Sequence, residues 1–470
     1  MSEEIASRQH TRLLVVILGV GLLLRFVYAF TCEIIPDISD QGGYNYFALN
    51  WIRGAGLIAD SSGALSVYRP PLYPMFLGFV YALSGELNYR AVYFVQSVLS
   101  LLTIISIYIA ASRLFNARAG LVAAFVAAIY PPFVLYNITT MTESISLVLT
   151  TLALALLLKV QSKHQITKTI LVACCIALGS LCKPAIIFFV PGILLAFLIL
   201  PKQTYRSKLT SVSFFLLTLV LVLSPWILRN YKAFNKFIPL ADNGSYNFYL
   251  ANNPNANGNY ISPLKTPLGS ADLPDTVYYR EGFRFILDRP TQYCELIFKK
   301  LSTVFSPGRD TRLDPLIIPS FQANQRMHMA YARYKEYESW TTAPPQLAGT
   351  DIETLDNPAA KLILHLFPMT IVLLGCFGGV MLFRREQLPL VLPTLSYLLM
   401  HILFFFFEIR FRLLSEPAAI VYTGGILSVI ISQNPLAPSR FHRSRLVYAI
   451  ITAFIIIALW VSFFVEWGWI

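Results

Sequence analysis

PDISDQGGYNYFALNWIR (36–53) and, a short way on, YRPPLYP (68–74) form the stretch on which the architecture turns. It follows the first apolar run of membrane length and carries two acids, Asp37 and Asp40, an arginine, Arg69, and many aromatics. The thirteen residues after Pro71, LYPMFLGFVYALS (72–84), are apolar but too few to cross a bilayer, which needs roughly 20. Counting them as a span would invert the orientation of everything downstream, so their placement decides the topology.

The remainder of the chain reads as membrane. Of 470 residues, 56% are hydrophobic and 13% charged, with a mean hydropathy of +0.59. A soluble chain is about a quarter charged, so the composition is that of an integral membrane protein. The net charge of +12 does not point to nucleic acid, because the lysines and arginines fall in short clusters between apolar segments, the pattern of cytoplasmic loops. Six cysteines, at 32, 174, 175, 182, 294 and 376, have no metal-ligand spacing. Cys32 and Cys294 would share the outer face, but nothing in the sequence brings them together as a disulfide. The run 13–30 is longer than a signal-peptide core and is followed by a poor cleavage site, which predicts a retained first helix.

Eleven spans are expected: 13–30, 91–112, 121–136, 144–158, 170–182, 186–200, 209–228, 362–383, 388–407, 413–431 and 446–467. Leaving 72–84 in the outer interface puts Arg8/Arg12, Arg113/Arg118, Lys159/Lys163/Lys168, Lys202/Arg206/Lys208, Arg384/Arg385 and Arg440/Arg443/Arg445 on one side, the cytoplasm. The loop 36–90, the junction 136–144, Lys183, the segment 229–361 and residues 408–412 then share the opposite face. The expected organisation is an N-terminal membrane module, 1–229, with its first outer loop at 31–90, an extracytoplasmic segment, 230–360, and C-terminal membrane helices, 361–470. No internal repeat or low-complexity tract is visible.

Within the first loop, Tyr44, Phe47, Ala48, Trp51 and Ile52 recur at helical spacing with Asn45, Asn50 and Arg53 opposite. That pattern predicts an interfacial helix lying flat at the headgroups, ended by Gly54 and Gly56, the alternative being an aromatic-rich loop. The segment 230–360 begins rich in Asn, Tyr and Gly, suiting turns and sugar-stacking platforms, and reads as helical over 276–305. It binds an acceptor or simply caps the bundle.

Several polar residues on the outer face are candidates for chemistry. Asp37 and Asp40 at the end of the first span suit a general base on an acceptor hydroxyl; the bland reading is a solvated loop acid or a helix N-cap. Arg69, stiffened by Pro70 and Pro71, suits a phosphate through paired charge-assisted hydrogen bonds, or it snorkels to lipid headgroups. Glu143 at the mouth of a span is costly there unless functional, or it belongs to a capping box with Thr139 or Thr142. Lys183, Glu408, Arg410 and Arg412 raise the same question. His365 and His401, alone in apolar runs, read as structural. The acids admit a divalent cation, but no metal-ligand set is formed.

Taken in order, these pieces resemble a family. DQGGY (40–44), RPPLYP (69–74), TES (142–144), the lysine-proline at 183–184, PWILRNY (225–231) with LANNPNANG (250–258), and RFRLLSEP (410–417) are similar to motifs of the GT-C glycosyltransferases of the protein O-mannosyltransferase and lipid A aminoarabinose transferase kind, a family-39-like superfamily, over about residues 13 to 431. The resemblance implies an all-α polytopic GT-C fold with interfacial helices in the first outer loop. It implies transfer of a sugar from a polyprenyl (undecaprenyl-type) phosphate donor to a glycan, lipid or protein acceptor outside the cytoplasm, at the plasma membrane. By the same resemblance Asp40 is the catalytic acid of the first loop, with Asp37 sharing its role and Glu143 a second acid. Arg69 contacts the lipid phosphate, with Lys183, Arg410 and Arg412 as further cations, while Tyr44, Tyr68, Tyr73 and Asn252 line donor and acceptor. The sequence departs from the pattern where Gln41 replaces a second acid, Gly43 replaces an arginine of aminoarabinose transferases, and Leu414 replaces a proline.

Three other readings compete. A lipid-linked-sugar flippase or transporter would show internal repeats and polar groups near the midplane. A non-catalytic scaffold has no use for an acid and an arginine in one loop. A glycan polymerase or ligase would share the architecture.

Overall fold

The computed structural model describes residues 2–31, 40–57, 65–160, 164–199, 203–261, 263–269, 273–305 and 367–431. Asp37, Cys32, His365 and the expected span 446–467 lie outside the described residues. Every regular element among the described residues is a helix.

The first half comprises α1 (Ser2–Thr31), α2 (Asp40–Ile52), α3 (Leu72–Ser84), α4 (Tyr89–Leu114), α5 (Ala117–Ile129), α6 (Pro131–Leu135), α7 (Glu143–Leu157), α8 (Gln165–Cys182), α9 (Val190–Ile199) and α10 (Tyr205–Phe234). The second comprises α11 (Gly244–Ala251), α12 (Asp275–Asp288), α13 (Pro290–Phe305), α14 (Phe367–Leu382), α15 (Leu388–Phe404), α16 (Ile409–Arg412) and α17 (Glu416–Ile431). Among the described residues five helices are long and apolar enough to cross a membrane, α1, α4, α8, α10 and the one ending at Phe404. Others are shorter apolar helices, as expected where the apolar runs between 121 and 200 are short.

Asparagines start α4 and α5: the Asn88 and Asn116 side chains accept from the backbone N–H of Ala91 and Ala119. Close packing between helices relies on glycine. A Cβ on Gly192 would lie 2.2 Å from Leu392 O, and one on Gly375 2.6 Å from Ala419 Cα, so α9 meets α15, and α14 meets α17, backbone to backbone.

Two expectations are corrected. The span 121–136 is not one straight helix: α5 and the stretch Pro131–Ile138 meet at 55°, since Pro131 and Pro132 cannot continue the α5 hydrogen-bond ladder. The bend carries the chain through Tyr136–Ile138 into the turn before α7. Second, α2 is a helix, as the spacing predicts, but its polar side is not open throughout: Arg53 is exposed while Asn45 is not. Asn45 on its polar side is buried, donates to Thr140 Oγ1 at 3.1 Å and accepts from Tyr81 at 2.7 Å. The other side meets α3, where a Cβ on Gly78 would fall 2.7 Å from the Trp51 ring. Helix spacing cannot distinguish a polar face in water from one satisfied by other side chains. Gly54 and Gly56, both at positive φ, end the helix as expected.

Helix α3 keeps to one end of the bundle. Tyr73 at its start donates to Gln96, two turns into α4, and Ser84 at its end accepts from Asn88, just before α4. The region expected to be helical over 276–305 is two helices, split at Pro290.

Candidate active site

Asp40 opens α2, where the positive end of the helix dipole favours a carboxylate. One oxygen accepts from Arg69 Nη2 at 2.9 Å, the other from Arg410 Nη1 at 2.5 Å. Arg410 Nε also lies 2.6 Å from Glu408 as an ion pair, without the alignment of a hydrogen bond. Burial alone would raise the Asp40 carboxyl; the guanidiniums of Arg410 and Arg69 outweigh it and hold the group well below the usual carboxylate range. Asp40 remains 30% exposed, more than either arginine, so the ionised carboxylate faces an open side of the cluster.

Arg69 is held in place on three sides. Pro70 and Pro71 stiffen the chain behind it, its guanidinium lies 4.2 Å from the Tyr44 ring centroid and 5.6 Å from that of Tyr68, and its tip rests on Gly43. A Cβ at 43 would stand 2.9 Å from Arg69 Nε and 3.0 Å from Nη2. Thus the glycine that departs from the family pattern is the position over which the arginine lies. Gly43→Ala should leave the melting temperature within a few degrees but turn Arg69 away from Asp40, lowering activity roughly ten-fold, the equivalent of one charge-assisted hydrogen bond. Steady-state transfer assays beside thermal melts check this; full activity with alanine would show that the Arg69–Asp40 contact is dispensable.

Beside this group lies a second pair. Lys183 Nζ donates to Glu143 Oε1 at 2.8 Å, with Glu143 1% and Lys183 10% exposed. Thr142 caps α7 through its backbone only and turns its hydroxyl to Glu143, so the capping-box reading does not hold. Lys183 ends α8 where Pro184 breaks it, and its ammonium lies 5.1 Å from the Phe411 ring. Glu143 is within electrostatic reach of both Arg410 and Asp40, which makes the two pairs one cluster of three acids and three cations. Among the described residues, no three His, Cys, Asp or Glu side chains are grouped to hold a metal ion.

The turn 139–142 that delivers Glu143 is pinned by residues that sequence reasoning passed over. Gln96 Nε2 donates to Asn137 O and Thr139 O, and Gln41 Oε1 accepts from Thr140 N at 2.9 Å. Gln41 thus occupies the position of a second acid as a brace. A buried amide in an apolar helix such as α4 was the available signal for Gln96.

Of the other candidates, Tyr44 and Tyr73 pack edge to face at 5.1 Å beneath Arg69, and Tyr68 is half exposed. Arg412 is not brought to Asp40: it is buried, donates to Glu416 at 2.8 Å and reaches Val304 O. Asn252 is fully buried and ties α11 to the end of α15 through Phe248 O and Phe404 O, so it lines no open surface. The i,i+4 spacing of Arg412 and Glu416 was the overlooked sign of the former; one-dimensional patterns say nothing of the latter. His401 Nδ1 lies 3.0 Å from Tyr397 O among aromatic rings, the structural place expected of it. Across the bundle, α4, α8 and α10 carry Arg113, Lys168 and Arg206 at the ends away from the cluster, with Lys159 just after α7 and Arg384/Arg385 just before α15.

Residues 68–228 match the family model described as dolichyl-phosphate-mannose-protein mannosyltransferase. No curated protein matches the sequence. The fold is similar to that of the oligosaccharyltransferase of Archaeoglobus fulgidus in the apo form, at 15% identity over 94% of this chain and 54% of that one, with a TM-score of 0.52. It is equally similar to AglB from Archaeoglobus fulgidus in complex with an inhibitory peptide and a dolichol-phosphate, at 14% identity over 97% and 55% of the two chains and a TM-score of 0.52. ArnT from Cupriavidus metallidurans bound to undecaprenyl phosphate aligns at 13% identity over 88% and 77%, with a TM-score of 0.46. The chain spans about half the length of the archaeal oligosaccharyltransferase. The fold is the all-helical GT-C fold.

Proposed function

We propose that this GT-C chain is a polyprenyl-phosphate-sugar-dependent glycosyltransferase, working on the extracytoplasmic face of a bacterial-type plasma membrane. The observation that carries the reading is the partly open Asp40 carboxylate between Arg69 and Arg410, next to the buried Glu143–Lys183 pair. The likeness in fold to the archaeal oligosaccharyltransferase AglB, whose structure is in complex with a dolichol-phosphate, supports it.

In the reaction the acceptor hydroxyl oxygen bonds to the anomeric carbon and the bond from that carbon to the phosphate oxygen breaks. The electron pair stays on the phosphate. Arg69 and Arg410 stabilise the charge that grows there, since prearranged cations in a site shielded from water act strongly on a developing oxyanion. Asp40 takes the hydroxyl proton. It is ionised throughout the neutral range, and it becomes basic enough to take that proton as Arg69 and Arg410 turn from it to the departing phosphate. Lys183 keeps Glu143 charged beside Arg410, which fixes the field in which the arginines sit.

The test is sugar transfer by the purified protein in lipid nanodiscs from labelled undecaprenyl-phosphate sugars to an envelope extract. Release of undecaprenyl phosphate coupled to a glycosylated product is expected; binding without turnover would favour a transporter. Orientation is checked separately in a Cys32→Ser/Cys294→Ser background, since both cysteines are expected on the outer face and Cys294 is exposed. Glu86→Cys should label from outside intact cells with an impermeant maleimide, and Arg206→Cys only after permeabilisation. The reverse pattern would put the cluster in the cytoplasm.

A further inference from the structure

Lys300 stands on the wrong face of its helix for a lysine. In α13 the buried positions are Leu296, Lys300 and Val304, one turn apart, and this face packs against the end of α15 and Phe407. The Lys300 side chain is fully buried and its Nζ has no hydrogen-bond partner. Burial pushes its ammonium down to about 7. A methionine or leucine there would continue the apolar stripe at no desolvation cost, whereas an ammonium is costly to bury without a partner. The position is therefore unfavourable for the free protein.

The surroundings indicate what the charge is for. Asp40, Glu143 and Glu408 are matched by Arg69, Arg410 and Lys183, and Glu416 by Arg412. Among the described residues Lys300 is a fully buried cation at this end of the bundle with no acid paired to it. Its charge reaches His401, which Lys183 reaches as well, so it borders the cluster from an element that supplies none of the six groups. Of the elements packed on α13, α15 brings His401, α16 brings Arg412, and α12 turns Arg284 and Asp288 to solvent. Among the described residues no carboxylate acts on its ammonium.

We propose that Lys300 forms a second anion subsite, separate from the arginine pair, that receives a carboxylate or phosphate oxyanion carried by a reactant of the transfer. The proposal rests on the glycosyltransferase reading for the word reactant, but not for the binding of an anion. When the anion arrives, the amine takes up a proton and the ion pair forms in surroundings of low dielectric, where it is strong.

Isothermal titration of the full chain in nanodiscs tests it. Sodium glucuronate and inorganic phosphate are titrated separately, each before and after saturation with undecaprenyl phosphate, with glucose as the neutral control. At least one anion should bind wild type with net proton uptake, read from two buffers of different ionisation heat. It should bind Lys300→Met about ten-fold or more weakly, the usual loss for a hydrogen bond to a charged group. Glucuronate identifies a sugar carboxylate as the natural feature, phosphate a phosphorylated one. Lys300→Met should melt no lower than wild type, which separates lost binding from lost folding. Equal anion affinity in wild type and Lys300→Met, or no anion binding by wild type, overturns the subsite. Anion binding at Lys300 with no affinity for undecaprenyl phosphate would instead sink the lipid-donor reading and leave the subsite standing.

Discussion

Asp40→Asn should reduce sugar transfer by about a thousand-fold, within the range removed with a general base, while leaving the protein folded. Asparagine keeps the shape and can still accept a hydrogen bond from one guanidinium. Arg410 retains Glu408, and Arg69 retains the Tyr44 face, so neither cation is left without a neighbour. Removing the carboxylate also removes the anion that competes with a lipid phosphate for those guanidiniums. Affinity for undecaprenyl phosphate should therefore hold or tighten as turnover collapses. Direct binding measured beside initial rates separates the two effects. Turnover above a tenth of wild type would show that Asp40 is a counter-ion and that the base lies elsewhere. In wild type, no activity loss between pH 5 and 8 should trace to Asp40, because its proton returns only far below the unperturbed carboxylate value of about 3.9.

Lys183→Met should destabilise the protein by about 3–5 kcal/mol, the usual result of stripping the partner from a buried ion. Glu143 is 1% exposed at the start of α7, and its other contact is the Thr142 hydroxyl, too weak a partner to carry a full charge. The pair joins the beginning of α7 to the end of α8, so its loss should loosen those two helices first. The double variant Glu143→Gln/Lys183→Met should recover most of the stability, since a neutral pair of similar volume needs no counter-ion. Thermal melts of the singles and the double complete the cycle. Additive losses would mean that the two residues act independently. A stable but inactive double variant would assign the pair to the chemistry and not only to the scaffold.

Much of the frame was legible because it rests on local signals. Apolar runs, the prolines at 70, 71 and 184, and the glycines at 54 and 56 act within a few residues, and the helices and their ends follow. Asp40 and Arg69 were legible as members of one outer loop, but not as an ion pair. What escaped depends on distance along the chain. Arg410 meets Asp40 across 370 residues, and nothing near either residue announces the other. The break at Pro131 was hidden by an apolar run that reads as continuous. Asn45 was read as wet because a polar stripe looks the same whether water or Thr140 and Tyr81 satisfies it. Lys300 was lost among its neighbours in FKKL, where only the buried face of α13 tells it apart from Lys299.

The two-sided clamping of α2 has a bearing on how the site moves. Gln41 and Asn45 lash the helix to the turn before α7, and Gly78 lets α3 lie against Trp51, so the backbone under Asp40 is anchored like a post set in concrete. Adjustment to an incoming lipid then falls to the guanidinium side chains, which must give up their ion-pair contacts with Asp40 to turn, and not to a closing flap. Side-chain relaxation of labelled arginines, compared with the amide of Asp40, would expose a swinging helix if there were one.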